Sequence, residues 1–188
     1  MRTGLLLVDI QNDYFPLGRM ELVGMNEAGS KAKDLLSLFR TNQWPIFHIQ
    51  HISAGAGATF FLPDTDGVEI HDAVKPIPGE MVIQKHFPSS FRDTALLAEL
   101  KKAEVKRLVI CGAMSAMCID ATTRAAFDLG FSCVIVHDAC ATRDLAFGGK
   151  TIPADMVHGA FMAALGSVYA RVLSFDRFLS RVKGGDKA

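Results

Sequence analysis

The sequence predicts an α/β protein in which a parallel sheet carries helices on both faces. Short apolar runs typical of strands alternate along the chain with segments whose apolar residues have helical spacing. The first run, residues 5–10, is apolar except for Asp9, as expected of a strand buried on both faces. The chain has 188 residues, of which 49% are hydrophobic and 21% charged. This length and composition predict one folded domain over residues 1–188.

Each predicted strand or helix has a pattern of its own. Short apolar runs predict strands over residues 5–10, 45–52, 81–84, 107–111, 132–137 and 172–174. Helical spacing predicts helices over residues 26–40, 94–103, 118–129 and 153–165, and a last helix from residue 175 to a polar end at 184–186. Gly130 is suited to end the third of these helices, and Pro153 to begin the fourth.

The long segment between the second and third strands, residues 53–80, has Gly, Pro and Asp scattered through it. A loop of this length inside a compact domain is usually functional. Ligands of parallel α/β sheets bind beyond the carboxyl ends of the strands. We therefore expect functional residues just after the strands, in segments 9–13, 51–57, 85–87, 112–118 and 137–140.

The charge balance argues against nucleic-acid and membrane partners. Lysine plus arginine total 20 and aspartate plus glutamate total 20, so the formal net charge is +0. A general nucleic-acid binder needs an excess of positive charge, and an anionic membrane surface attracts polybasic segments. No apolar run approaches the ~18 residues of a membrane span. A chain without net charge has little self-repulsion, which is compatible with a homo-oligomer, either a dimer or a tetramer.

The first apolar run stops at Asp9, which makes it too short for a secretory signal. We therefore expect a cytoplasmic protein whose four cysteines, at positions 111, 118, 133 and 140, are reduced. None of the cysteine spacings is typical of a structural zinc site.

Asp9, Lys85 and Cys118 each follow a predicted strand, and each can be explained without a function. Asp9 could cap the next turn, Lys85 could be a solvated strand end, and Cys118 could be a small buried hydrophobic residue. The carboxyl ends of parallel strands share one edge of the sheet, so we expect the three side chains close together. A helix N-terminus and a nearby ammonium lower the pKa of a thiol, and a carboxylate can take its proton. Together the residues predict a nucleophile, a base and a positioning cation.

Three motifs around these residues are similar to those of a known family. They are residues 7–15 (LVDIQNDYF), 82–86 (VIQKH) and 109–120 (VICGAMSAMCID). Further positions continue the pattern in the expected order: Ser90, Phe91, Thr94, Thr122, Ala126, Gly130, Asp138 and Ala139. In these motifs the sequence resembles the isochorismatase-like cysteine hydrolases, relatives of the nicotinamidases and the N-carbamoylsarcosine amidohydrolases.

The resemblance implies a three-layer, Rossmann-like fold with a six-stranded, mostly parallel sheet and a catalytic triad of Asp9, Lys85 and Cys118. It also implies a cis peptide bond at Ala113–Met114 and an oxyanion hole formed by the backbone N–H groups of Met114 and Cys118. Family members with the cysteine cleave C–N bonds of amides or carbamoyl compounds through a thioester. Those that act on the vinyl ether of isochorismate lack the cysteine. The resemblance therefore implies an amidase-type hydrolase, for which we expect no cofactor.

Two other functions stay open. Nicotinamidases that resemble this chain hold a metal with an Asp-x-His pair and further histidines. That pair is absent here, although Asp64, His71 and His51 could converge because the loop is long. We expect no metal, since histidines at this spacing are more often core or edge residues. Alternatively, a non-catalytic domain of this fold could use Cys118 as an oxidation sensor with Cys140 nearby, a role against which the intact triad argues.

The substrate is predicted only as a small molecule, and its pocket as a set of candidate residues. One histidine and several apolar side chains near the motifs could line the pocket: Phe15, Phe61, His86, Phe91 and Met117. Core packing or subunit packing explains each apolar residue equally well. A neighbouring subunit could complete the pocket at the long loop, residues 53–80.

Overall fold

The central sheet is entirely parallel in a computed structural model that describes residues 1–185. The described strands are β1 (Thr3–Val8), β2 (Ile46–His51), β3 (Met81–Lys85), β4 (Arg107–Ala113), β5 (Ser132–Ala141), β6 (Leu145–Phe147), β7 (Lys150–Ile152) and β8 (Arg171–Leu173). Six of them form the sheet in the order β3-β2-β1-β4-β5-β8. This confirms the predicted α/β fold with six parallel strands. Strands β6 and β7 form a separate antiparallel hairpin, which the sequence patterns did not predict.

Helices cover both faces of this sheet. They are α1 (Met25–Thr41), α2 (Leu96–Lys102), α3 (Asp120–Asp128), α4 (Ala154–Val168) and α5 (Phe175–Lys183). Right-handed crossovers place α1 on one face and α2, α3 and α4 on the other, because the chain reverses direction across the sheet after β3. Helix α5 returns to the first face, where Phe178 stacks on Phe39 of α1 with ring centroids 6.5 Å apart. The predicted polar end of α5 includes Asp186, which lies outside the described residues.

Strand β1 lies in the middle of the sheet, and all six of its residues are buried. The hydrophobic core surrounds it on both faces, which explains why its sequence is continuously apolar instead of alternating. Among residues 1–185, no helix combines the length and the apolarity needed to cross a membrane.

The helix predicted over residues 118–129 begins earlier and in a different form. A π-helical turn, Ser115–Ile119, contains Cys118, and α3 follows it directly from Asp120. Cys118 therefore lies inside a turn and not at the first residue of an α-helix. Hydrophobic spacing cannot distinguish the two, because a π-turn differs from an α-turn by one residue in its hydrogen bonding.

Strand β5 continues to Ala141, beyond its predicted end at residue 137. Its register with β4 shifts on the way: Ile110 pairs with Ile135, whereas Gly112 pairs with Cys140. The extra residues of β5 bulge out between these two pairs. This irregularity depends on pairing with a distant strand, so the local sequence pattern did not reveal it.

The long loop between β2 and β3 is attached to the segment after β1 by the carboxylate of Asp13. Asp13 Oδ2 accepts a hydrogen bond from the Phe61 N–H at 2.6 Å, and Oδ1 accepts one from the Arg19 N–H at 3.1 Å. Gly67 packs against the same carboxylate so closely that an added Cβ would overlap it. The carboxylate of Asp13 therefore has an ordered, structural environment.

At the end of this loop, Glu80 joins α1 to β2. Its carboxylate accepts hydrogen bonds from Arg40 Nε at 2.7 Å and His48 Nε2 at 2.9 Å, and from the Ile77 N–H at 3.1 Å. Burial opposes the charge of Glu80, but the bonds from Arg40, Ile77 and His48 outweigh it and lower its pKa to about 2. Burial lowers the pKa of His48, so this histidine is a neutral donor to Glu80 at neutral pH.

We predict that Glu80→Gln lowers the free energy of unfolding at pH 7 by about 1–3 kcal/mol, because charged hydrogen bonds are lost. The carboxylate has a lower pKa when folded, so its contribution is complete above its ordinary pKa of 4.5 and disappears as the pH falls towards 2. Urea unfolding of both proteins across this pH range measures the difference. Glu99→Gln is the control, because the carboxylate of Glu99 has a single, weaker ion pair among the described residues, with the exposed Lys102 at 3.7 Å. Equal effects of the two substitutions would contradict the prediction.

Candidate active site

The side chain of Lys85 connects three segments at the carboxyl edge of the sheet. Its ammonium donates to Asp9 Oδ2 at 2.8 Å, to His51 Nδ1 at 2.9 Å, to the Phe87 carbonyl oxygen at 3.1 Å and to Cys118 Sγ at 3.3 Å. The side chains of Asp9 and Lys85 have no exposed surface, and Cys118 is 5% exposed. The structure therefore brings the three predicted catalytic residues into one buried cluster.

The order of the strands determines how this cluster is assembled. Strand β2 lies between β1 and β3, and its last residue, His51, pairs with Lys85. Lys85 therefore reaches past the end of β2 to Asp9, which follows β1. An ammonium can only donate, so His51 Nδ1 accepts from it and the imidazole proton lies on Nε2.

The end of β4 approaches β1 closely enough to place Cys118 beside Asp9. Gly112 has a φ of 121°, and an added Cβ there would overlap the Val8 carbonyl oxygen. Position 112 therefore requires glycine, both for its conformation and for the space. Asp9 has a φ of 52°, in the left-handed region, which aspartate adopts more often than most residues.

Burial and the charges within the cluster change the pKa values of Lys85 and Cys118. Burial opposes the charge of Lys85, but Asp9 and Cys118 outweigh it and raise the pKa of Lys85. Burial and the Asp9 carboxylate raise the pKa of Cys118 well above the usual thiol range, although Lys85 acts in the opposite direction. An ammonium and a helix N-terminus lower the pKa of a thiol, but here burial and the neighbouring carboxylate outweigh the effect of Lys85.

Asp9 has one carboxylate oxygen available to accept a proton. Oδ2 accepts from Lys85, whereas the buried Oδ1 has no hydrogen-bond partner within residues 1–185. A carboxylate oxygen of Asp9 lies within 4.8 Å of Cys118 Sγ. A buried oxygen without a donor is costly, and a proton from the adjacent thiol would satisfy it.

The residues expected to form the oxyanion hole belong to one short piece of backbone. The peptide bond between Ala113 and Met114 is cis. The Met114 carbonyl oxygen accepts hydrogen bonds from the N–H groups of Met117 at 3.0 Å and Ile119 at 3.2 Å. Met114 thus begins the π-helical turn in which Cys118 lies.

The residues considered for a metal do not come together. His71 stacks on Phe15 with ring centroids 3.5 Å apart, and its Nδ1 accepts from the Ala73 N–H. Within residues 1–185, the side chains close enough to hold an ion are instead Asp9, His51 and Cys118. Lys85 Nζ already contacts all three at 2.8–3.3 Å. This donor set does not fit a metal ion, because an ammonium occupies the position between the ligands.

Three of the predicted pocket residues lie close to the cluster. Phe61 is buried, with its ring centroid 5.9 Å from that of His51. His86 is exposed directly after Lys85, and its Nδ1 contacts the Ile52 carbonyl oxygen at 2.8 Å. Met117, the residue before Cys118, is 46% exposed. These placements are compatible with substrate contacts from Phe61, His86 and Met117.

The other two predicted pocket residues have packing partners elsewhere. Phe15 stacks on His71. Phe91 stacks on Phe131, with centroids 6.1 Å apart, and Phe131 precedes β5 at the amino end of the sheet. Cys118 lies at the carboxyl end, so the position of Phe91 does not support a substrate-binding role.

Sequence reasoning considered His51 only as a metal ligand and gave Tyr14 and Arg143 no role. His51 accepts from Lys85, and burial and the Lys85 charge lower its pKa to about 4. Burial raises the pKa of Tyr14 well above its usual value, and the Asp9 carboxylate and Cys118 add to this effect, whereas Arg143 lowers it. Arg143 follows the part of β5 that the sequence pattern did not predict. The expectation that functional residues follow the predicted strands therefore could not identify it.

Gln11 holds the loop side of the site. Its Nε2 donates to the carbonyl oxygens of His51 at 2.9 Å and Val68 at 2.7 Å, and its Oε1 accepts from the His51 N–H at 2.7 Å. Gln11 is fully buried, so these bonds satisfy the polar atoms of its side chain. They fix the end of β2, and with it His51, against the segment after β1.

Comparison with known proteins agrees with this geometry. The family model described as the isochorismatase domain matches residues 3–163. The chain belongs to the isochorismatase family. The uncharacterized isochorismatase family protein YddQ of Bacillus subtilis is 52% identical over 179 residues, which cover 95% of this chain and 99% of that protein. The chain in a crystal structure from Oleispira antarctica is 49% identical to this one in sequence, and the two structures superimpose with a TM-score of 0.92. The match covers 95% of this chain and 96% of the other.

Two family relatives have named activities. Streptothricin hydrolase of Streptomyces noursei is 37% identical over 86% of this chain, which spans 59% of that enzyme. Ureidoacrylate amidohydrolase of Acinetobacter baylyi is 25% identical over 74% of this chain and 70% of that enzyme. The isochorismatase-family chain described here is therefore a hydrolase.

We predict opposite effects of two substitutions on the alkylation of Cys118. Asp9→Asn should speed alkylation by iodoacetamide near pH 8, because removing the carboxylate lowers the thiol pKa. Lys85→Met should slow it, because the thiolate loses its ammonium. Each unit of pKa changes the thiolate fraction roughly tenfold. The rate is measured against pH by mass spectrometry of the peptide that contains Cys118.

Lys102→Met serves as a control for this experiment, since its side chain is exposed on α2 and forms an ion pair with Glu99, away from Cys118. It should alkylate at the wild-type rate. If Lys85→Met reacted as fast as the wild type at every pH, Lys85 would not be the partner of the thiolate.

Proposed function

We propose that this protein hydrolyses an amide or carbamoyl C–N bond of a small molecule, with Asp9, Lys85 and Cys118 as a catalytic triad. The observation that carries the proposal is the position of Lys85 Nζ, 2.8 Å from Asp9 Oδ2 and 3.3 Å from Cys118 Sγ. Lys85 holds one oxygen of the Asp9 carboxylate, and the other oxygen has no donor among residues 1–185. A nucleophile, its base and an orienting group are the parts that acyl transfer needs.

In the first step, Asp9 Oδ1 takes the proton of Cys118 as Sγ attacks the carbonyl carbon of the substrate. Transfer at the moment of attack suits a thiol whose pKa is raised, because no thiolate has to persist beforehand. The carbonyl oxygen becomes an oxyanion, which the backbone N–H groups of Met114 and Cys118 would stabilise. Lys85 stays protonated and offsets the negative charge that moves between Asp9 and Cys118.

In the second step, Asp9 returns its proton to the leaving nitrogen as the C–N bond breaks, which leaves a thioester on Cys118. Asp9 then takes a proton from water, and the hydroxide attacks the thioester carbonyl carbon. The C–S bond breaks, Sγ regains a proton and the acid is released. The net reaction consumes one water and requires no redox group.

The charge near the site supports an anionic substrate. Arg143 is exposed, contacts Met20 Sδ at 3.5 Å and has no carboxylate within 4 Å among the described residues. It lies close enough to lower the pKa of Tyr14, which Asp9 and Cys118 also influence. We therefore propose that Arg143 binds a carboxylate of the substrate, as a guanidinium does well through two parallel hydrogen bonds. The name of the relative ureidoacrylate amidohydrolase is compatible with a substrate of this kind.

An oxidation-sensing role for Cys118 has less support. The raised pKa of Cys118 disfavours the thiolate that an oxidant attacks. Cys140, the cysteine considered as its partner, donates from Sγ to the Val136 carbonyl oxygen at 3.4 Å. These contacts favour catalysis over sensing.

We also propose a homo-oligomeric, cytoplasmic protein, either a dimer or a tetramer. Three large apolar side chains are strongly exposed on the surface around the site and α4: Met117, Met156 and Val168. Burial of such residues between copies of the chain would remove them from water. The four cysteines are unpaired, as a reducing compartment requires.

We predict that Cys118→Ala abolishes hydrolysis and leaves the fold intact, because the change removes one buried sulfur atom. Asp9→Asn should lower kcat by roughly 10²–10⁴, the usual size of a general acid–base contribution. A panel of small amides and carbamoyl compounds, followed by released amine, measures turnover. Cys111→Ala is the matched control, since Cys111 is also buried but lies within β4, and it should lose stability while keeping activity. Near-wild-type turnover by Cys118→Ala would refute the proposed mechanism.

We predict that Arg143→Gln raises KM roughly 10–100-fold for substrates that carry a carboxylate, in line with the loss of a charged hydrogen bond. KM for the corresponding neutral primary amides should stay within about twofold. Arg177→Gln, exposed on α5, is the control. An equal change for charged and neutral substrates would show that Arg143 does not recognise charge.

A further inference from the structure

A buried hydroxyl connects the turn that carries Cys118 to helix α4. Ser115, the first residue of the π-helical turn, has no exposed surface. Its Oγ lies 2.8 Å from His158 Nδ1 and 3.3 Å from the Ala141 carbonyl oxygen. His158 lies on α4 and Ala141 ends β5, so this one oxygen joins three elements.

The protons of these groups define the direction of each bond. The Ala141 carbonyl oxygen can only accept, so Ser115 donates its single proton to it. The 2.8 Å contact then requires His158 to donate from Nδ1 to Ser115 Oγ. Burial lowers the pKa of His158, with His137 adding to the effect, so the donor at neutral pH is the neutral tautomer with its proton on Nδ1.

No part of the proposed chemistry uses His158. It lines a cavity of about 260 Å³ together with His137 and Asp155. The turn itself is what sets the distance of 3.3 Å between Cys118 Sγ and Lys85 Nζ. A shift of the turn would move the nucleophile relative to both its base and its cation, and misplacement by about 1 Å can reduce a rate by roughly 10²-fold.

We propose that His158 is a positioning residue, which acts through Ser115 to keep Cys118 at the correct distance from Asp9 and Lys85. The inference rests on the proposed function, since it concerns the rate of attack by Cys118. His158 does not touch the reacting atoms. Its effect is on the geometry of the turn and therefore on kcat more than on KM.

The test compares substitutions that differ only in the hydrogen bond to Ser115. His158→Leu and Ser115→Ala should each lower kcat roughly 10–100-fold, with KM within about twofold. His158→Asn should recover most of the rate, because its side-chain amide can donate from near the position of Nδ1. The double variant Ser115→Ala/His158→Leu should lose no more than the worse single variant, as expected of two residues that act through one bond. His137→Leu, in the same cavity without a bond to Ser115, should behave as the wild type.

A second readout separates this inference from the proposed function. The alkylation rate of Cys118 should change in His158→Leu and return towards the wild-type value in His158→Asn, whatever the substrate of the enzyme is. A turnover by Cys118→Ala would overturn the proposed function without affecting this result. Wild-type kcat and alkylation in His158→Leu would overturn the inference. The inference would also be overturned if kcat fell equally in His158→Leu and His158→Asn and in proportion to their loss of thermal stability. That result would show that His158 contributes only through its packing.

Discussion

The buried ammonium of Lys85 is the constraint on which the site depends. Removing such a charge from water costs several kcal/mol unless other groups replace the solvent. Here four acceptors surround its three N–H protons: a carboxylate, an imidazole nitrogen, a carbonyl oxygen and a sulfur. They come from the segment after β1, the end of β2, the segment after β3 and the π-helical turn after β4. The ends of these segments must therefore meet at one point, which the fully parallel sheet makes possible.

This arrangement also explains why a thiol with a raised pKa can be an effective nucleophile. Asp9 and Lys85 have opposite effects on Cys118, and with burial the result is a neutral resting thiol. The base that takes its proton is already ionised and held by Lys85. The negative charge moves from carboxylate to sulfur within reach of the same ammonium, so little reorganisation is needed during attack. A resting thiol is also protected from oxidation.

Residue types and the positions of strand ends were sufficient to predict the parallel sheet. They also predicted that Asp9, Lys85 and Cys118 lie close together. Both predictions depend on local patterns and on the rule that parallel strands share one functional edge. The rest depends on contacts between distant segments. The bulge in β5, which positions Arg143, results from its pairing with β4. The raised pKa of Cys118 results from burial, which no sequence pattern near residue 118 records.

The contact between Gly67 and the Asp13 carboxylate divides the long loop into parts with different freedom to evolve. At position 67 any side chain would collide with a group that itself holds Phe61 and Arg19. At Gly55 and Gly57 an added Cβ would meet open space. Side chains can therefore be introduced at positions 55 and 57 without a collision, whereas position 67 requires glycine. Relatives with different substrates would then share the same anchor, and new specificity could arise in this fold without a loss of its stability.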